Sequence, residues 1–465
     1  MITFYYDETK EAPMYEQLYH YLKQAIEKNE LKANEKLPSK RKLANHLKIS
    51  QTTIETAYTQ LLAEGYIQSV PRVGYFVLDH LNFPKRVRDK PSIKRKRSKS
   101  YQYDFKTNHV DDEHFPYQKL AKIQRDVALD KLPSMINQLD HFGLYSLRER
   151  IADILFAYRG IEALPEQIVV GSGSEHMISL LVLLLGRQRR ILTEEPSYVK
   201  NYALYEQYGA NVDVCPLDEH GISMDDVKAL SGEVIHITPS HQYPTGIITP
   251  ISRRIELLKW ANESDKRYIV EDDYDSEFRF SGNPIPALKV LDEYDKVIYM
   301  NSFSKSLSPG FRVSFMVLPR HLLERYHELF SYFSCSVPIM TQLVLQRFIE
   351  TNEFEKHLNR MKNIYKHKRD ALIHLLEETF GEKIEIKGDD AGLHFLVECR
   401  SDVTETDLIQ RAKEKNIRVY GLGEYYVKKI DRHRHPTLVF GYSHFRQEDL
   451  IKAVQLLDDA WKDIW

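Results

Sequence analysis

The chain has 465 residues, of which 42% are hydrophobic and 28% charged, and its formal net charge is −2. That length suits about three domains, and the balance excludes a wholly disordered chain. Three scattered cysteines (Cys215, Cys335, Cys399) give neither a disulfide framework nor a zinc site; with no signal-peptide pattern at the start, a reducing cytoplasm and no membrane association are expected.

In chain order, Met14, Leu18, Tyr21, Leu22, Ala25 and Ile26 recur at spacings of three and four, which predicts an amphipathic helix. Ser39 can cap a second helix whose inner face is Leu43, Ala44 and Leu47. Ser50 can cap a third, with Ile54, Ala57, Leu61 and Leu62 inward and Gly65 as its stop. Two short strands around Pro71–Gly74 complete the pattern. Three helices and a hairpin predict a winged helix-turn-helix, although solvated faces of some other small bundle would read similarly. In the first turn of the third helix Gln51, Thr52 and Thr53 are short polar groups able to reach base edges or phosphates. Arg41 and Arg72 suit backbone phosphates. The stretch "LPSKRKLANHLKISQTTIETAYTQLLAEGYI…VGYFV" resembles the GntR-type DNA-binding domain across nearly all of residues 11–79. The resemblance implies a double-stranded DNA operator as partner, contacted by Ser39, Arg41, Ser50, Gln51, Thr52, Thr53, Arg72 and Gly74. The chain has Gln51 where members often have Arg, and Glu55 where they often have a basic residue; both bear on the DNA sequence read.

Residues 1–79 hold ten Lys/Arg and ten Asp/Glu. Residues 80–103 hold nine Lys/Arg against Asp89 alone, a net of +8. A basic tether thus joins a neutral head to an acidic body, either as a solvated linker or as a phosphate-attracting arm.

From residue 104 on, strand-like and helix-like segments alternate. "QIVVGSGSEHMISLLVLLL" reads as a strand, a glycine-rich turn and a helix, whose apolar run Met177–Leu185 is too short to span a bilayer. "RRILTEEPSYVKNYALYEQYG" repeats that order, and "GEVIHITPSHQYPTG", "DKRYIVEDDYDSEF", "DKVIYMNSFSKSL" and "RVSFMVLP" each hold an apolar strand ending in polar residues. The order predicts an α/β sheet with its site at the strand ends. A phosphorylated pyridine aldehyde needs an amine, a carboxylate beside its ring nitrogen, and amides, hydroxyls and an arginine around its phosphate. Lys305 offers the amine. Asp272 and Tyr274, two apart, would share one strand face, for the ring nitrogen and the phenolic oxygen. Gly173, Ser174 and Glu175 open the apolar helix with free amides. Ser302, Ser304 and Arg312 can complete the phosphate cup, and Tyr198 can stack on the ring. Each feature alone also suits a solvated lysine, an ordinary turn or a charged loop.

That order, with "SFSKSLSPGFRVSF" and "PSHQYPTG", resembles fold-type I aminotransferases over roughly residues 105–465, in which the lysine of the SFSK-like motif carries pyridoxal 5′-phosphate. Where members generally have Asn before Pro-Thr-Gly this chain has Tyr243, preceded by His241 and Gln242, so the phenolic-oxygen contact is expected to be reassigned. The strand Leu438–Phe445 lacks the arginine that usually clamps a substrate carboxylate; Lys200 and His444, with Arg446 beyond, are the nearest cationic candidates for an effector. The whole layout resembles the MocR/GabR subfamily: a GntR-type head (residues 1–79), a basic linker (80–103) and a PLP-dependent transferase-like body (104–465) with a smaller C-terminal α+β part from about residue 335. It implies a homodimeric transcription factor that exchanges an aldimine at Lys305 for one with an amine or amino-acid effector. A working aminotransferase with an accessory DNA-binding head, and a plain repressor whose body no longer binds cofactor, are the alternatives.

Overall fold

The computed structural model describes residues 2–7, 12–79, 100–135, 137, 140–281, 286–428 and 435–464. The chain forms two compact units, Met1–Ser98 and Lys99–Trp465. Most of the basic tether, residues 80–99, lies outside the described residues.

In the first unit the three expected helices are α1 (Met14–Glu27), α2 (Lys40–Leu47) and α3 (Gln51–Ala63). The Ser39 hydroxyl accepts from the Lys42 amide and the Ser50 hydroxyl from the Thr53 amide, so both serines do cap their helices. Strands β1 (Ile67–Val70) and β2 (Gly74–Val77) pair antiparallel, Ile67 opposite Val77. The core differs from expectation in one respect: Tyr19 and Tyr58 are buried, while Tyr21, Leu47 and Leu62 only flank the core. Both buried phenols have partners that spare them the cost of desolvation. Tyr58 donates to the Pro38 carbonyl and Tyr19 to Glu64.

The second unit is built on an eight-stranded sheet. Its strands are β4 (Ile168–Gly171), β5 (Arg190–Glu195), β6 (Asn211–Asp218), β7 (Gly221–Ile222), β8 (Val234–Ile237), β9 (Tyr268–Asp272), β10 (Val297–Ser302) and β11 (Ser314–Val317). The order is β4-β11-β10-β9-β8-β5-β6-β7. β10, β9, β8, β5 and β6 are parallel; β11 runs antiparallel to both β10 and β4. The inner strands β8 and β11 are buried along their whole length, as their continuous apolar runs require. The helix Ser174–Leu185 is buried almost all round, with Met177, Ile178, Leu181 and Leu184 packed against the sheet.

A second, four-stranded antiparallel sheet has the order β12-β13-β16-β15, from β12 (Ile384–Lys387), β13 (His394–Cys399), β15 (Tyr420–Gly421) and β16 (Thr437–Gly441). β3 (Tyr103–Asp104), which opens the body, pairs parallel with β14 (Ile417–Arg418) of this C-terminal part. Among the described residues no helix is long and apolar enough to cross a membrane.

Candidate functional site

Because β5, β8, β9 and β10 are parallel, their C-terminal ends fall on one edge of the sheet. There the apolar strands give way to polar residues around a cavity of about 220 Å³. Lys305 sits in the short helix Phe303–Ser306 that follows β10. Its Nζ donates to the Thr107 carbonyl. Burial pushes this amine down to about 8, against the pull of Asp275. A lysine in that state spends part of its time as the neutral nucleophile near neutral pH.

Asp272, the last residue of β9, also lines the cavity. Its Oδ2 lies 3.4 Å from His236 Nε2, and His236 Nδ1 lies 2.8 Å from the Tyr205 hydroxyl. The carboxylate is therefore held from behind by a buried imidazole. Tyr274 lines the cavity too, but not by strand alternation as the two-residue spacing suggests. β9 ends at Asp272, and the turn beyond it brings Tyr274 round. The intervening Asp273 points the other way, into an ion pair with Arg159 (2.7 Å) and a hydrogen bond from Tyr299 (2.6 Å).

An anion cradle occupies another part of the wall. The helix Ser174–Leu185 starts there without a side-chain cap, its N-cap being Gly173 at φ +95°. A Cβ on Gly173 would stand 2.3 Å from Arg312 Nη2, so only glycine lets the guanidinium lie over this turn. Ser174, Ser302 and Ser304 line the same cavity. The Glu175 carboxylate already acts as an anion in the cradle, bonded to Arg312 Nη2 at 2.5 Å and to Lys200 Nζ. Burial works to raise the Glu175 carboxyl, but hydrogen bonds from Lys200 and Arg312 outweigh it and hold it down at about 2. A helix N-terminus, hydroxyls and an arginine are the donor set that a phosphate monoester takes, and the half-buried amine and carboxylate suit a pyridine aldehyde. The residues therefore fit a phosphorylated pyridine cofactor, with Glu175 the one group that competes for its phosphate.

Two tyrosines flank this space. Tyr198 and Tyr243 meet edge to face, ring centroids 5.7 Å apart. The Tyr243 hydroxyl shares a 2.7 Å hydrogen bond with Thr107 Oγ1, and burial drives its pKa upward, so it stays a phenol. The effector candidates divide. Lys200 lines the cavity, though its ammonium is paired with Glu175. His444 does not line it. Its ring stacks edge to face on His109 at 4.8 Å, and burial with His109 beside it pushes it down to about 4, leaving a neutral imidazole. Arg446 instead faces Glu113 at 3.6 Å.

Sequence reasoning missed Thr107, Asn108, Glu194, Asn201, His236 and Thr238, all of which line the cavity. His236 carried a signal, as the one polar residue within the run "VIHI". Thr107 and Asn108 carried none, since only tertiary pairing brings that segment to Lys305. Glu194 is fully buried and accepts from the Thr238 amide (3.0 Å) and hydroxyl (2.8 Å); burial pushes it up to about 7.

In the first unit Gln51 and Thr52 are exposed at the start of α3, with Thr53 half-buried. Arg41 is exposed on α2, and Arg72 lies exposed at the wing tip at φ +63°, two residues before Gly74. Lys40 pairs with Glu55 of α3, so the acidic residue unexpected in this helix neutralises a cation of the preceding one.

Residues 14–77 match the family of bacterial regulatory proteins of the gntR type, and residues 100–433 match aminotransferase class I and II. The HTH-type transcriptional regulator YdeL of Bacillus subtilis is 36% identical over 99% of both chains. The probable rhizopine catabolism regulatory protein MocR of Rhizobium meliloti is 30% identical over 88% of this chain and 86% of its own. Among solved structures, LysN, an α-aminoadipate aminotransferase from Thermus thermophilus, superimposes with a TM-score of 0.66 at 25% identity, covering 77% of this chain and 92% of that one. A kynurenine aminotransferase from Pyrococcus horikoshii gives 0.69 at 24%, covering 79% and 92%. With a GntR winged helix-turn-helix ahead of a fold-type I aminotransferase body, the chain belongs to the MocR/GabR-like subfamily of GntR regulators.

Proposed function

We propose that this DNA-binding regulator holds pyridoxal 5′-phosphate at Lys305 and senses an amine or amino acid that takes the place of Lys305 on the cofactor. When bound, the group supplies an aldehyde carbon that condenses with one primary amine at a time. The observation that carries the reading is a single cavity joining a half-buried amine of lowered pKa (Lys305), a braced carboxylate (Asp272) and an anion cradle under Arg312. Asp272, steadied by His236, would keep a proton on the ring nitrogen. Ser174, Ser302, Ser304 and Arg312 would hold the phosphate at the helix N-terminus, with Gly173 leaving room for the arginine and Glu175 yielding its place. Tyr198 would face the ring, while Tyr274 and Tyr243 offer hydroxyls to its phenolic oxygen. Lys200, once free of Glu175, would meet an acidic group on the effector.

The DNA-reading set would be Arg41, the Ser50–Thr53 turn with Gln51 at its tip, and the wing with Arg72 and Gly74; Ser39 and Ser50 would act mainly by shaping the two helix starts. In this proposal the head spans 1–79, the tether 80–103 and the body 104–465, and two copies in the cytoplasm read two half-sites of an operator. The direct test is an absorbance spectrum of the purified protein titrated with candidate amines, beside the Lys305→Ala variant. The variant should lose the visible band and borohydride labelling; a reducible linkage that survived in it would place the attachment elsewhere.

A further inference from the structure

Thr107 has no part in the proposed function, yet two bonds that matter to the cavity meet on it. Its carbonyl accepts from Lys305 Nζ, and its hydroxyl shares a 2.7 Å hydrogen bond with the Tyr243 hydroxyl. Both reach it from the side of the eight-stranded sheet. The segment around it is held from the other side by the C-terminal part. Gly441 donates its amide to the Phe105 carbonyl, and Ser443 Oγ donates to the His109 carbonyl at 2.7 Å. The approach is close: a Cβ on Gly441 would run into the Lys106 carbonyl. Thr107 itself is buried.

Tyr243 is fixed on its own account before it meets Thr107. Its amide donates to Thr238 Oγ1 at 3.1 Å, and its carbonyl accepts from Gln242 Nε2 at 2.8 Å. Thr238 and Gln242 in turn donate to the buried Glu194 of β5, at 2.8 and 3.4 Å. The ring packs edge to face against Tyr198, Tyr274, His394 and Tyr425, with centroids 5.0–5.7 Å apart. A phenol whose backbone and ring are both held in this way delivers its hydroxyl to one point. The tyrosine that stands where fold-type I aminotransferases generally have asparagine thus has a partner of its own.

We propose that Tyr243 is a positioning residue for Lys305: its hydroxyl anchors Thr107, and the Thr107 carbonyl in turn holds the Lys305 amine at the cavity wall. The chain of contact is two hydrogen bonds long and runs through one residue. A backbone carbonyl that accepts from an amine favours the protonated amine. Loosening the anchor therefore acts with a definite sign and releases the amine toward its neutral, nucleophilic form. A bond kept only for packing would cost stability without moving that balance. Asp275, His109 and His394 also lie close enough to act on the Lys305 charge, and the variants below leave all three in place.

The test uses full-length protein in two arms. In the cofactor-free form, the rate of Lys305 acetylation by acetic anhydride is followed against pH by peptide mass spectrometry. Tyr243→Phe and Thr107→Val, each close in size to the original, should both lower the midpoint by about one pH unit, the size of one charge-assisted hydrogen bond. The double variant should lower it no further than either single one, because both remove the same link. Thr107→Ser, which keeps the hydroxyl, should leave the midpoint where it was. Circular dichroism checks that each variant is folded; should Thr107→Val not fold, Tyr243→Phe and Thr107→Ser still decide. An unmoved midpoint in Tyr243→Phe, effects that add in the double variant, or a Thr107→Ser midpoint lowered like that of Tyr243→Phe each overturn the proposal. In the second arm pyridoxal 5′-phosphate is added at pH 7 and the growth of its visible band is timed. Thr107→Val, which leaves Tyr243 in place, should speed it about fivefold, and an equal rate would count against the anchor. This arm rests on the cofactor reading: no visible band in any form would reject that reading, while the first arm would still decide on Tyr243.

Discussion

Arg312 Nη2 lies 2.5 Å from Glu175 Oε2. The arginine and the first turn of the Ser174 helix are thereby joined by a carboxylate, where a phosphate would be joined to both. Glu175→Gln keeps the shape but removes the competing charge. Affinity for pyridoxal 5′-phosphate should rise about tenfold, the size of one charge-assisted hydrogen bond, and affinity for unphosphorylated pyridoxal should not change. Equilibrium titration with the two aldehydes decides it; equal gains for both would mean that Glu175 does not stand in the phosphate's place.

Asp272 and Asp273 are neighbours with opposite duties. Asp272→Asn should leave the melting temperature almost unchanged and shift the cofactor spectrum, because the side chain faces the cavity. Asp273→Ala should do the reverse. It removes the carboxylate paired with the Arg159 guanidinium at 2.7 Å, on a side chain only 9% exposed, and breaking such a pair costs about 3–5 kcal/mol. Thermal melts and spectra of the two variants side by side check the assignment.

Two carboxyls, Glu194 buried and Glu277 half-buried, give the body a pH dependence. Burial pushes Glu194 up to about 7, and burial with Asp273 nearby does the same for Glu277. Each is raised above its unfolded value of about 4.3, so the fold favours the protonated form. The stabilisation is complete below about 4.3 and is lost as the pH rises through about 7. The melting temperature should therefore fall between pH 5 and 8, and Glu194→Gln and Glu277→Gln should each flatten that slope. An unchanged slope in both variants would rule out these groups as its source.

For the head, the Lys40–Glu55 pair suggests a gain rather than a loss. Glu55→Gln frees Lys40 and removes a negative charge from the helix whose first turn is proposed to read DNA. Affinity for operator and random duplex alike should increase, and the slope of log affinity against log salt should steepen by about one unit. Arg41→Ala should do the opposite. Gel-shift titrations at two salt concentrations on both DNAs measure this. A change confined to operator would show that these residues read bases.

What the sequence made legible was local. Ser39 and Ser50 precede helical stripes because cap and stripe are short-range features, and the polar ends of β9 and β10 stood out because apolar runs stop there. Lys305, Asp272, Tyr274, Arg312 and the Gly173 turn could be singled out for that reason, and all five meet around one cavity wall. The misses are long-range. Nothing in "FKTNHV" shows that Thr107 will meet Lys305, 198 positions away. His444 looked like a cation near a strand end, but its burial against His109 depends on residues more than three hundred positions away, and the resulting loss of charge is invisible in a linear chain. Tyr274 reaches the cavity through the turn after β9 rather than by strand alternation, because the point where β9 stops is set by its partners.

The segment that opens the body is tied at both ends. Phe105 donates its amide to the Arg418 carbonyl and accepts from the Gly441 amide, within the C-terminal part. Two residues on, the Thr107 carbonyl holds the Lys305 amine while its hydroxyl meets Tyr243. The rope by which the body is fastened to everything upstream is thus knotted to the reactive amine itself. A ligand bonded to Lys305 Nζ would compete with the Thr107 carbonyl for that amine, three residues past the strand with which the body opens.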